Sequence, residues 1–146
     1  MKHVDIFTDG ACAGNPGKGG WGVILRYGTY QKELFGSEEH TTNNRMELTA
    51  AIEALYALKE PCDVTLTTDS KYLTEPINQG WVWKWKEHSW CKSNKKPAEN
   101  IDLWEQLLDL ISIHNVNFVW VKGHNGHPEN ERCDALAEGA CMNVNV

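Results

Sequence analysis

At 146 residues, with 41% hydrophobic and 23% charged residues, the chain has the makeup of one soluble globular domain, a size at which roughly two-thirds of the unfolded surface is buried. No stretch approaches the roughly 20 apolar residues of a membrane span, and five cysteines without a CxxC pair argue against a disulfide framework and a zinc ribbon. The formal net charge of −6 speaks against a nucleic-acid partner until its placement is read.

Met1-Lys2-His3-Val4-Asp5 leads straight into a strand, Val4 to Thr8, and not into the apolar region of a signal peptide, so the cytoplasm is the expected compartment. Gly10 to Gly20, rich in glycine and interrupted by Pro16, reads as a loop. Trp21 to Tyr27 and Tyr30 to Phe35 carry aromatic and β-branched residues around Gly28-Thr29, the pattern of an antiparallel hairpin. From Asn43 to Leu58, Met46, Leu48, Ala51, Ile52, Leu55 and Leu58 recur at helical spacing, and Pro61 stops the pattern. Val64 to Thr68 is a further strand, followed from about Ser70 by a helix that Pro76 is expected to end or kink. Gly80 marks a break, and Trp81 to Trp90 reads as a short helix.

That segment changes the meaning of the net charge. Between Trp81 and Lys96 stand Lys84, Lys86, Lys92, Lys95 and Lys96 against Glu87 alone, so the strip carries +4 and the rest of the chain −10. A basic strip on an acidic body suits a nucleic-acid contact better than the net charge does. Ile101 to Ile113 is another amphipathic helix, Val116 to Val121 the last strand, His124 to Pro128 a loop, and Glu129 to Met142 the terminal helix. The order β-β-β-α-β-α-α-α-β-α implies a mixed sheet with an antiparallel edge and helical crossovers, in a single domain over residues 1–146.

Four carboxylates sit where elements start or stop: Asp9 in Thr8-Asp9-Gly10, Glu47 in Asn44-Arg45-Met46-Glu47, Asp69 in Thr68-Asp69-Ser70, and Asp134 in Cys133-Asp134-Ala135. Each has an ordinary use. Asp9 suits a turn, Glu47 the far half of a capping-box-like start behind Asn44, Asp69 an N-cap, and Asp134 the positive end of its helix. Jointly they suit something else, because four clustered carboxylates repel unless a hard divalent cation joins them. Two such ions clamp the attacking and leaving oxygens of a displacement at phosphorus. His124-x-x-His127 with Cys133 fits no zinc spacing and lacks a fourth ligand.

Thr8-Asp9-Gly10-Ala11-Cys12, Gly14-Asn15-Pro16-Gly17, Thr42 to Leu48, Thr68-Asp69-Ser70 and Trp120 to Asp134 resemble, in order, the motifs of bacterial type 1 ribonuclease H, over about residues 3–141. The resemblance implies an α/β fold with a ribonuclease-H-like mixed five-stranded sheet flanked by helices. It implies hydrolysis of the RNA strand of an RNA/DNA hybrid to 3′-hydroxyl and 5′-phosphate ends, by a monomer. Two ions, Mg²⁺ or alternatively Mn²⁺, would be held by Asp9, Glu47, Asp69 and Asp134, with Asp9 the best bridge and His124 assisting proton movement or product departure.

The same resemblance assigns the hybrid's minor groove to the backbone of Gly10 and Cys12 with Asn15, Asn43 and Asn44. It assigns a DNA-strand phosphate pocket to His40, Thr42 and Asn100, and a basic protrusion at about 80–97 to Trp81, Lys84, Trp85 and Lys86. Lys71, also assigned to the substrate-binding surface, stands where Gln is common. His40 stands where many relatives carry Arg, and a neutral imidazole is the weaker phosphate ligand. Glu75-Pro76 interrupts a helix that is usually continuous, and Gly80 is an extra residue. Two rival readings are a hybrid-binding module without catalysis and another nuclease of the superfamily, such as an integrase or junction resolvase. The first requires a missing acid, and the asparagines and basic strip speak against the second.

Overall fold

Alternation places Val4, Ile6 and Thr8 on one side of the first strand, and all three are buried, so this face of the strand meets the core. The computed structural model describes residues 1–142, and residues 143–146 of the expected domain lie outside the described residues. Along the chain run β1 (Lys2–Ala13), β2 (Gly17–Tyr27), β3 (Tyr30–Thr41), α1 (Asn43–Tyr56), β4 (Cys62–Thr68), α2 (Lys71–Asn78), α3 (Trp81–Glu87), α4 (Ile101–Ile113), β5 (Asn115–Trp120) and α5 (Pro128–Met142). The five strands form one sheet in the order β3-β2-β1-β4-β5. β1 pairs with β2 and β2 with β3 antiparallel, while β1–β4 and β4–β5 are parallel. The mixed five-stranded sheet expected from the chain is therefore present.

Glycines at 10, 20 and 22 have a different use from the loop expected between Gly10 and Gly20. β1 runs on to Ala13 and β2 starts at Gly17, with Ala13 paired to Lys18. Helices lie so close to these strands that side chains would collide. A Cβ on Gly10 would stand 2.6 Å from the Glu47 nitrogen in α1, and one on Gly22 would stand 2.5 Å from the Cys133 carbonyl oxygen in α5. Gly22 pairs with Asp9, the residue before Gly10, so the pleat turns the two glycines to opposite faces and α1 and α5 cover opposite sides of the sheet. Between the α1 side of the sheet and α4 lies the core, with Ile6, Leu48, Leu55, Leu66, Trp104 and Leu107 fully buried.

Among the boundaries that differ from the sequence expectation, three have a clear physical reason. β3 extends past Phe35 to Thr41 because β2 offers partners along its whole length. α2 continues through Pro76 to Asn78: the missing N–H forfeits one helical hydrogen bond, and the ring is buried instead. α3 stops at Glu87 and not at Trp90, since Ser89 and Trp90 adopt left-handed backbone and the Trp90 N–H returns to the Trp85 carbonyl at 2.6 Å, a Schellman-type closure. Gly80, also left-handed at φ 78°, is the break expected between α2 and α3.

Candidate active site

Parallel pairing of β1 with β4 sets Phe7 opposite Thr67. Two residues further on, Asp9 and Asp69 stand at the carboxyl ends of neighbouring strands, where ligands of such sheets collect. α1 brings Glu47 to the same place. One carboxylate oxygen from each of Asp9, Glu47 and Asp69 lies within 4.8 Å of the others. Asp134, on α5, stands beside Asp9 and acts on its ionisation, although the close triple does not include it.

The ordinary uses of these acids are taken by neighbours. Thr42, and not Asn44, caps α1, its Oγ1 accepting from the Arg45 N–H at 3.2 Å. Ser70 caps α2, accepting from Leu73 at 3.1 Å, so Asp69 is not the cap. Asp134 lies beyond the first turn of α5, outside the reach of the helix dipole. Asp9 does accept the Gly10 N–H at 2.9 Å, a turn-like bond that also orients its carboxylate.

Electrostatics make this cluster costly as it stands. Burial, then the charge of Asp69, push the Asp9 carboxyl up to about 8, with Asp134 contributing further. Burial and then Asp9 raise Glu47 well above the usual carboxylate range. Glu47 Oε1 is buried without a hydrogen-bond partner, and among the described residues no ion pair involves the three acids. Clustered hard oxygens, an orphaned acceptor and no basic partner together fit divalent cations. Cys133 is unsuited to zinc, because burial, then the charge of Asp9, push its thiol up to about 12 and away from the thiolate that metal binding requires.

Around the acids, the residues expected to touch substrate divide into groups. Gly10 packs on the start of α1, Cys12 donates to the Thr41 carbonyl at 3.5 Å, and Asn15 Oδ1 accepts the Asn43 N–H at 2.9 Å, so the β1–β2 turn and the N-terminus of α1, with Asn44, form one rim. His40 is exposed at the end of β3, two residues before Thr42. Asn100 adopts left-handed backbone, donates to the Tyr72 hydroxyl at 2.9 Å and accepts from Arg45 at 3.2 Å. Arg45 in turn grips Asp102 bidentately at 2.8 and 3.0 Å. Sequence reading passes over Arg45 and Tyr72, which lock Asn100. The signal for Arg45 is its place in the Asn44-Arg45-Met46-Glu47 run, whereas Tyr72 carries none.

His124 is exposed on the loop between β5 and α5, with left-handed backbone at φ 54°. On the basic strip, Trp81, Lys84, Trp85 and Lys92 line a cleft of about 860 Å³, while Lys86 stands outside it. Trp85 also meets the buried Trp104 edge-on at 6.2 Å, so it is part wall and part core. Lys71 lies over the exposed Trp120 ring at 4.8 Å.

An oxygen-only acid cluster at the ends of neighbouring parallel strands defines the class, an α/β enzyme of divalent-metal phosphoryl transfer. The family model described as RNase H matches residues 1–142. A ribonuclease H from Novosphingobium aromaticivorans is 60% identical over 97% of this chain and 99% of its own length. One from Rhizobium etli is 61% identical over 94% and 90%. Among solved structures, that of LC9-RNase H1 covers 98% of this chain and 74% of its own, with a TM-score of 0.87 and 32% identity. LC11-RNase H1, solved with an RNA/DNA hybrid, shares the fold at a TM-score of 0.76 and 23% identity, over 98% of this chain and 99% of its own. The chain belongs to the ribonuclease H family, in its bacterial type 1 branch, and is a metal-dependent endoribonuclease. This excludes the integrase and resolvase alternative, and retention of all four acids goes against a module without catalysis.

Proposed function

We propose that this chain hydrolyses the RNA strand of RNA/DNA hybrids at the Asp9–Glu47–Asp69–Asp134 site, leaving 3′-hydroxyl and 5′-phosphate ends. The observation that carries the site assignment is the mutually close carboxylate triple, with Asp9 and Glu47 buried, Asp69 half-buried and one Glu47 oxygen orphaned. Asp9, Glu47, Asp69 and Asp134 would hold two ions, Mg²⁺ or alternatively Mn²⁺. When bound, such ions polarise the phosphoryl oxygens and lower the pKa of an attacking water.

The protein's own groups orient and discriminate. Asp9, held by the Gly10 N–H and next to Glu47, Asp69 and Asp134, would be the ligand shared by both ions. His124, exposed and next to Gly123, whose backbone lies against the Asp69 carboxylate, is the group we assign to carry a proton or ease product departure. The rim formed by Gly10, Cys12, Asn15, Asn43 and Asn44 reads the 2′-hydroxyl side of the hybrid, with Glu47 in reach of a 2′-hydroxyl. His40, Thr42 and the locked Asn100 receive a DNA-strand phosphate, and Trp81, Lys84, Trp85 and Lys86 track the backbone further out. The reading is of one catalytic domain acting as a monomer in the cytoplasm. Among the described residues no helix is long and apolar enough to cross a membrane.

Incubation of the purified protein with an RNA/DNA hybrid, an RNA duplex and a DNA duplex, with Mg²⁺, Mn²⁺ or EDTA, tests the reading. Only the hybrid should be cut, only in its RNA strand, and only with metal. Cleavage in EDTA, or equal attack on the three duplexes, overturns it.

A further inference from the structure

Trp120 ends β5 and is 42% exposed. Both of its polar interactions point to the acid cluster. The indole N–H donates to the Asp69 carbonyl at 2.9 Å, and the ring carries the Lys71 ammonium at 4.8 Å from its centroid. Lys71 opens α2 directly after the Ser70 cap, so the ring holds a cation two residues from a metal-site carboxylate. Glu75 stands one turn along the same helix, at the spacing of a helical ion pair with Lys71. Among the described residues Lys71 makes no such pair, and its ammonium rests on the indole instead. Lys71, Glu75 and Trp120 line a cleft of about 170 Å³, open to solvent at that point.

We propose that Trp120 is a positioning residue which holds the Lys71 ammonium against an RNA-strand phosphate next to the scissile one. The inference rests on the hybrid-cleaving reading above. A lysine on a free stem loses rotamer freedom when it grips a phosphate. Resting on the indole face removes part of that loss beforehand, and a cation over Trp keeps its charge available to an anion. The phosphate belongs to the RNA strand because the acids beside Lys71 are those that meet the strand being cut.

The test compares Lys71→Ala, Trp120→Leu, Trp120→Phe and the Lys71→Ala/Trp120→Leu pair on hybrids carrying one neutral methylphosphonate in either strand. Lys71→Ala and Trp120→Leu should each raise KM about two- to fivefold, the worth of one exposed charge interaction. Lys71→Ala should also reduce the slope of log KM against log salt by about 0.9, one phosphate, and Trp120→Leu, which keeps the ammonium but frees it, by a smaller amount. The pair should lose no more than Lys71→Ala alone, Trp120→Phe should keep the slope, and kcat should hold in Lys71→Ala. Neutralising one RNA-strand phosphate should reproduce the loss in the wild type and leave Lys71→Ala indifferent.

An unchanged salt slope in Lys71→Ala or Trp120→Leu, additive losses in the pair, or an effect confined to the DNA-strand methylphosphonate each overturn the proposal. Should Trp120→Leu fail to fold, the Lys71 ε-methylene protons decide: an upfield ring-current shift in the free wild-type protein supports the stacking, and an ordinary shift overturns it. A wild type that does not cut the hybrid overturns the underlying function instead, which separates the two failures.

Discussion

The acid cluster and the basic strip are built on opposite principles. The first is largely buried, crowded with like charge and held by strand ends and helix starts from distant parts of the chain. The second is exposed, formed by one continuous segment, and its lysines stand on a short helix and a tight turn closed by the Lys92–Lys96 backbone bond at 2.8 Å. Electrostatic strain is stored in the first and hardly at all in the second. Holding two metal ions close together needs several carboxylates converging on one place, whereas tracking a backbone needs only cations within a screening length of phosphates.

Replacing Asp9 with Asn is the most severe way to test that contrast. Turnover at saturating hybrid should fall by about a thousandfold or more, since several kcal/mol of transition-state stabilisation depend on the ions it would hold. Stability of the metal-free protein should move the other way. The folded Asp9 carboxyl is raised from its ordinary 3.8 to about 8, so between those values the native state binds more protons than the unfolded chain and stability falls as pH rises. Asp9→Asn removes that penalty and should stabilise the protein in EDTA at pH 8 by an amount on the order of 2 kcal/mol, read as a higher melting temperature, with less gain below pH 4. Equal melting of the two proteins across that window would mean the cluster is not strained.

On the strip, changing Lys84, Lys86 and Lys92 to Ala should weaken hybrid binding and flatten its salt dependence by about 0.9 for each phosphate no longer neutralised. Saturated turnover and melting should stay near wild type. Lys86, outside the cleft, should cost less than Lys84 when changed alone, and a large fall in saturated turnover would show that the two regions are not separable.

The smallest effect belongs to neither region. His3 Nδ1 meets Asp63 at 3.2 Å and its Nε2 meets Asp5 at 3.2 Å, and these hydrogen bonds, Asp63 first, raise its pKa above 6.5. Its stabilisation is therefore present in full below the ordinary histidine value and is lost as pH rises through the raised one. His3→Gln should lower the melting temperature slightly at pH 5 and not at pH 9, with activity unchanged.

Much of this contrast is legible in the chain. The ten elements and their order follow from period and punctuation, and the linear basic strip needs no folding to be seen. Glycine misleads at Gly10 to Gly20, because a residue without a side chain serves a tight helix approach as well as it serves a turn. Pro76 misleads for a related reason, since burial of its ring is invisible in a local pattern. The Asn100 lock by Arg45 and Tyr72 joins three elements far apart in sequence, and no spacing rule finds such a network.

By itself, the sequence determined which residue types stand at the ends of which elements, and by resemblance the family to which the four acids belong. Only the tertiary structure decided that three carboxylates from β1, α1 and the end of β4 meet within 4.8 Å. The reason is physical. Caps and periodicities are local and written within a few residues, whereas burial and like-charge crowding arise only when parallel pairing of β1 with β4 brings residues some sixty positions apart to one end of the sheet.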